Sequence, residues 1–179
     1  MTARGFRWGH ALLAGTAASS ASALVVAWRS ERETGSAWSG LNAISHWLFG
    51  ARAYGVDAAS VPHAVAGLAI HQASSLVWGA LYELLICNLR GGRPTASAQS
   101  AAMPGAEAVF IERRPATSGD AAAAAAIVAA LAAYTDLRLV PPPLSPGFEH
   151  RLARGSIALT YLGFACGLAA MGMALARTR

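Results

Sequence analysis

The sequence contains little charge and no lysine. Charged residues make up 13% of the 179 residues, whereas soluble domains average about 25%. All basic residues are arginines, and they give a net charge of +5. These arginines flank apolar runs and do not form a basic stripe. They are typical of membrane anchors and topology signals, and we expect no nucleic-acid partner.

Cysteine and catalytic motifs are also scarce. Cys87 and Cys166 each lie in an apolar run, and neither has a neighbour at C-x-x-C spacing. This arrangement predicts buried thiols and no disulfide framework. The sequence contains no Ser-His-Asp pattern, phosphate-binding loop or paired carboxylates. It therefore disfavours an enzyme without excluding one.

The chain is rich in apolar runs of membrane-spanning length. Hydrophobic residues make up 55% of the sequence, and a bilayer core of about 30 Å requires a helix of roughly 20 residues. We predict an all-α integral membrane bundle forming one domain over residues 1–179. Its four transmembrane helices are predicted at about residues 8–28, 62–87, 120–140 and 155–176. A soluble alanine-rich helical protein is disfavoured, because the charges cluster between the runs.

The segments between the predicted spans differ in character. Residues 30–60 are too polar to span, but their apolar residues recur at helical spacing: Trp38, Leu41, Ile44, Trp47 and Leu48. We predict an additional amphipathic interfacial helix between the first two spans, or a cap that packs on the bundle. Residues 90–119 are predicted to form a flexible loop. We expect Asp120 to cap the third span, and Asp136 and Arg138 to pair or to reach the interface.

The second predicted span, Val61–Cys87, carries a polar stripe. Residues four apart share a helix face, and this row reads His63, Gly67, His71, Ser75, Gly79 and Glu83. Lipid does not solvate such a row, so we expect it to face other helices. The candidate polar intramembrane site comprises His63, His71, Gln72, Ser75 and Glu83.

Two interpretations of His71 stay open. In one, His71 is the centre of a proton, metal or ligand site. In the other, it only packs, with its imidazole hydrogen-bonded to a serine of the first span such as Ser19 or Ser22. Thr160 and Tyr161 add polar groups from the fourth span, and such a polar layer can line a pathway or hold the helices together.

The histidine spacing does not predict a cofactor. His63 and His71 lie about 12 Å apart along one helix, too far for one haem iron. No other span has a central histidine, and no cluster of metal ligands is evident. We therefore expect no cofactor and no metal site. The expected partners are the lipid bilayer and other membrane proteins, or a second copy through Gly163 and Gly167, which form a GxxxG match.

Arginine counts predict the orientation. With the N-terminus in the cytoplasm, the inside carries eight arginines and the outside six, which favours a cytoplasmic N-terminus and C-terminus. The first segment resembles a signal peptide with a cleavage site at Ala21–Ala23. Its apolar run continues to Trp28, however, so we expect a retained helix.

Four stretches carry a family resemblance: LNAISHWLFG at 41–50, HAVAGLAIHQASSLVWGALYE at 63–83, TDLRLVPPPLSPGFEHRL at 135–152, and the glycine-rich last span. Together they resemble small, uncharacterised four-helix inner-membrane proteins of proteobacteria. The resemblance implies a multi-pass protein of the bacterial inner membrane and implies no activity. We expect an accessory or structural membrane component that acts through helix contacts. The alternative is a protein that handles protons, a metal or a small ligand at His71.

Overall fold

The structure, a computed structural model, describes residues 5–89 and 116–177. Its helices are α1 (Trp8–Thr34), α2 (Ser39–Ile44), α3 (His46–Phe49), α4 (Val61–Leu89), α5 (Ser118–Tyr134) and α6 (Arg154–Ala176). A π-helical turn, Thr135–Leu139, extends α5. The described residues contain no strand. Residues 90–115 of the predicted flexible loop lie outside the described ranges.

Four of these helices are long and apolar enough to cross a membrane: Trp8–Thr34, Val61–Leu89, Ser118–Leu139 and Arg154–Ala176. This finding confirms the predicted all-helical class with four helices of spanning length. The first helix continues to Thr34, beyond the predicted end near residue 28. It ends where Gly35 adopts a left-handed conformation, with φ of 74°, which glycine allows without strain.

Glycines let α1 pack closely against α4 and α6. A Cβ at Gly79 of α4 would lie 2.5 Å from the carbonyl oxygen of Ala11 and 2.7 Å from the Cα of Gly15. A Cβ at Gly167 of α6 would lie 2.6 Å from the Cα of Ala18. Only glycine fits at these two crossings, where one backbone contacts another. Gly167 of the predicted GxxxG pair therefore has a partner within its own chain.

The buried apolar residues form two clusters. The first is built from α1, α4, α5 and α6, and includes Ala18, Tyr82, Val128, Phe164 and Leu168. The second cluster comprises Val26, Leu41, Ile44, Phe148 and Leu152. It joins α1 and α2 to the residues that precede α6. The cluster thus places the polar connecting segment against the bundle.

The segment between α1 and α4 forms a cap on the bundle. In place of the one predicted helix, the structure has α2, α3 and a 3-10 helix at Gly50–Gly55. The break follows local hydrogen bonding: the Ser45 hydroxyl donates to the carbonyl of Asn42 at 2.6 Å. The Asn42 amide in turn donates to the carbonyls of Val56 and Ala58. All of α2 is buried, so the packed cap is the alternative that the structure shows.

Polar contacts tie the start of α6 to α1 and to the cap. Glu33 pairs with Arg29 at 2.8 Å and accepts hydrogen bonds from the Ser156 hydroxyl and the Ala153 amide. Arg151 donates to the Ser39 hydroxyl at 2.7 Å and pairs with Asp57. Exposed ion pairs contribute about 0–1 kcal/mol each. We therefore assign this network to positioning rather than to stability.

A capping box starts α5 one turn earlier than predicted. The N-cap is Thr117, whose hydroxyl accepts from the Asp120 amide at 3.1 Å. The Asp120 carboxylate accepts from the Thr117 amide at 2.8 Å. The prediction that Asp120 is the N-cap was therefore wrong, because two reciprocal bonds satisfy more backbone donors than one.

Candidate functional site

A cavity of about 310 Å³ lies between the two hydrophobic clusters. Most of its walls are apolar. They include Ile44 from the cap, Phe148 from the turn before α6, and Ile70 and Phe164 from the long helices. Its polar groups come from four helices: Ser22 from α1, His71, Ser74 and Ser75 from α4, Asp136 from the turn after α5, and Thr160 and Tyr161 from α6. The cavity therefore combines an apolar surface with a few polar groups, which is typical of ligand sites.

His71 and Ser22 form a hydrogen-bonded pair on one wall. Nε2 of His71 lies 2.9 Å from Oγ of Ser22. The Ser22 hydroxyl can donate to the carbonyl of Ala18 at 2.8 Å, which leaves its oxygen free to accept from Nε2. This contact confirms the predicted partner of His71 in the first span. His71 is half-buried and its remaining surface lines the cavity.

Tyr161 and Asp136 form a second pair on another wall. The Tyr161 hydroxyl donates to Oδ2 of Asp136 at 3.0 Å. Asp136 lies in the π-helical turn, which closes with a 2.9 Å bond from the Val140 amide to the carbonyl of Thr135. Such turns often occur at functional sites because they change the direction of side chains. Within the described residues Asp136 pairs with Tyr161 and not with Arg138, which is exposed. Of the two predicted alternatives, the carboxylate–arginine pair is therefore not formed, and the one in which these side chains reach the interface stays a prediction.

The other predicted site residues lie outside the cavity, except for Ser75. Nδ1 of His63 lies 2.8 Å from the Ser60 hydroxyl at the start of α4. Gln72 donates to the Thr16 hydroxyl at 2.9 Å, joining α4 to α1. Both contacts are structural links between neighbouring segments. The predicted stripe does face other helices, but its members do not form one site.

Glu83 lies toward the opposite end of α4. It is 1% exposed, and its Oε1 lies 3.8 Å from Nδ1 of His10 and 3.7 Å from the Cys87 sulfur. Twelve residues separate Glu83 from His71, which corresponds to about 18 Å along the helix. The two residues therefore cannot act on the same small molecule.

Aromatic rings of the cap pack against the turn that precedes α6. Tyr54 lies between His46 and His150, with ring centroids 5.0 and 4.3 Å away. Burial, and after it the negative charge of Glu149, raises the pKa of Tyr54 above its ordinary value. The same Glu149 charge acts on Asp136 and Tyr161. Glu149 therefore lies near the wall of the cavity that holds Asp136 and Tyr161.

The sequence did not predict that Asp136 belongs to the site. The one indication in the sequence was that Asp136 lies inside the third predicted span, where an ionisable residue is a functional candidate. The π-helical turn that brings it to Tyr161 has no evident sequence signature. No group of three His, Cys, Asp or Glu residues within ranges 5–89 and 116–177 could hold a metal ion.

The cavity's chemistry is that of a binding site with two hydrogen-bonded pairs, His71–Ser22 and Tyr161–Asp136, facing an otherwise apolar space. Among the residues that the structure describes, neither pair has the third member that a catalytic triad requires. No protein-family model, curated protein or solved structure matches the chain.

Proposed function

We propose that the chain is a multi-pass membrane protein that binds a small, largely apolar molecule in the cavity beside His71. The observation that carries this proposal is the cavity itself. Its volume of about 310 Å³ lies at the lower end of the roughly 300–1,000 Å³ typical of ligand pockets. A ligand of this size has one ring or a short branched chain.

An occupant would gain favourable contacts. The walls of the cavity are mostly apolar, and burying apolar surface stabilises by about 25 cal/mol per Å². A molecule that fills the space can also meet the His71 and Tyr161 side chains.

An accessory role through helix contacts is the second proposal. The small residues that suggested it are already in use inside the chain, because Gly15, Gly79 and Gly167 each contact a neighbouring helix. Self-association through Gly163 and Gly167 stays a prediction. We place ligand binding first because polar groups from several helices converge on the apolar walls of the cavity, as in ligand sites.

We propose the bacterial inner membrane as the location, with both termini in the cytoplasm. The support is the excess of arginines on the proposed cytoplasmic side. In this orientation the cap and the adjacent cavity lie in the outer half of the membrane. Reporter fusions at Gly105 and Arg179 should report the cytoplasm, and a fusion at Asp57 the opposite side. The reverse pattern would refute this orientation.

Two positions on α4 provide a matched test of ligand binding. Ser74 lines the cavity, whereas Ala69 is exposed, is not among the lining residues and lies on a different face of the helix. We would titrate the purified, detergent-solubilised protein with neopentylbenzene and follow tryptophan fluorescence, because Trp78 lines the cavity. Ser74→Phe should fill the space and remove the saturable signal, and Ala69→Phe should leave it unchanged. Absence of saturable binding both of neopentylbenzene and of its charged analogue benzyltrimethylammonium, or equal loss in both variants, would refute the proposal.

A further inference from the structure

The lining of the cavity contains an acid that no arginine neutralises within the described residues. Among these residues Asp136 is the one carboxylate of the lining, and the lining contains His71 but no arginine. The described arginines that form ion pairs do so elsewhere, Arg29 with Glu33 and Arg151 with Asp57. A chain with net charge +5 therefore places Asp136 beside an apolar space with no arginine of the described residues paired to it.

The Tyr161 hydroxyl satisfies one oxygen of Asp136 but does not balance its charge. An ionised carboxylate in apolar surroundings is costly unless a positive charge compensates it. The charge of a second carboxylate, Glu149, acts on Asp136; Oε1 of Glu149 lies 3.8 Å from Nε2 of His150, and its Oε2 is buried with no hydrogen-bond partner in the described part of the chain. The arrangement favours a cationic occupant.

Aromatic rings provide the second element of recognition. Trp47, Trp78 and Phe148 line the same cavity, together with Tyr161 and Phe164. Ring faces attract cations, and they do so more strongly where water is excluded. Aromatic rings also provide apolar surface for the remainder of a ligand.

We propose that the cavity binds a lipophilic organic ammonium, with its charged nitrogen beside Asp136 and its apolar body against the aromatic side chains. This inference rests on the proposed function and specifies its ligand class. A metal ion does not suit the site, because the described residues supply no cluster of three ligands.

An ammonium group can come from a free cation or from a lipid headgroup. In phosphatidylcholine and phosphatidylethanolamine a phosphate lies a few bonds from the nitrogen. That phosphate would be brought toward Asp136 and Glu149, and like charges in such surroundings repel strongly. The observations therefore favour a free cation without an anionic group.

The test compares two probes of the same shape. Benzyltrimethylammonium and neopentylbenzene differ in one atom, a charged nitrogen in place of a carbon. Saturable binding of each is measured on the full-length protein in detergent by tryptophan fluorescence. We expect the cation to bind at least tenfold more tightly. Tighter or equal binding of the neutral probe would overturn this inference and leave the proposed function standing, whereas binding of neither probe would refute both.

Charge-removing variants locate the interaction. Asp136→Asn keeps an oxygen that can accept from Tyr161 and should abolish the preference for the cation. Glu31→Gln removes the same charge from an exposed side chain of α1 and should change affinity less than twofold. An equal effect of both variants would overturn the inference. If Asp136→Asn does not fold, the comparison of the two probes on the unchanged protein still decides the question.

A competition experiment separates the two sources of ammonium. Dihexanoylphosphatidylcholine is added below its micelle concentration to protein loaded with benzyltrimethylammonium. We expect no displacement. Displacement at a concentration equal to or lower than that of the free cation would overturn the assignment to a free cation.

Discussion

Substituting Gly79 with alanine tests the crossing of α1 and α4, on which the shape of the bundle depends. The added Cβ would meet three backbone atoms: the carbonyl oxygen of Ala11 at 2.5 Å, and the Cα and amide nitrogen of Gly15, both at 2.7 Å. No side chain can rotate to relieve these contacts, so the two helices must separate. Overpacking of this kind costs about 1–3 kcal/mol, and the rigid backbone places this site near the upper end.

The helix propensity of alanine opposes this loss. Replacing glycine with alanine inside a helix gains up to about 1 kcal/mol, so we expect a net loss of about 2 kcal/mol in the free energy of unfolding. Gly155→Ala is the control, because Gly155 lies in α6 with no atom within 4 Å of the added Cβ. It should be neutral or stabilising by up to about 1 kcal/mol.

The assay is reversible unfolding in mixed detergent micelles, followed by far-ultraviolet circular dichroism. The two variants should differ by about 2–3 kcal/mol, with Gly79→Ala the less stable. Equal stability of the Gly79→Ala and Gly155→Ala proteins would mean that α1 and α4 do not cross at this point.

Two further predictions concern single hydrogen-bonded pairs. A double-mutant cycle of Ser22→Ala and His71→Leu should give a coupling energy of about 0.6 kcal/mol in the same assay, the average for interhelical hydrogen bonds. If the stability losses of the two single variants simply add up in the double variant, the two side chains do not interact. Thr117→Ala should destabilise by about 1 kcal/mol, because it removes the hydroxyl that accepts from Asp120. Ser118→Ala, at an exposed neighbour, should change stability by less than about 0.5 kcal/mol.

The features predicted from the sequence depend on short-range rules. Apolar run length predicts the four long helices, because each must reach about 20 residues independently of its neighbours. The Ser22 contact of His71 could also be predicted, since small residues at spacing four allow one helix face to approach another. Thr117 and Asp120 match a capping-box pattern in the sequence, which makes the error at the start of α5 avoidable.

The features that were missed depend on how separate segments meet. A hydropathy pattern does not show where a π-helical turn re-aims Asp136, or that Tyr161 of α6 lies beside it. The apolar positions between α1 and α4 predicted one amphipathic helix face, but these residues do not share one face in the structure. Leu41 and Ile44 are buried in the second cluster, while Leu48 is 70% exposed. Whether a segment covers the bundle or lies beside it depends on contacts far along the chain.

The cavity can be explained by the early end of α5. With its π-helical turn, α5 covers 22 residues, whereas α4 has 29, a difference of about 10 Å in helix length. Pro141–Pro143 follow at once, and proline removes the amide donors that a longer helix would require. The chain therefore leaves the bundle at the level of Asp136, and Leu144, Pro146 and Phe148 close the space that another turn or two of helix would fill.

Because the glycine crossings hold α1 against α4 and α6, those helices cannot close the space from the other side. The binding site thus lies where a helix stops, and the last turn of that helix provides its carboxylate.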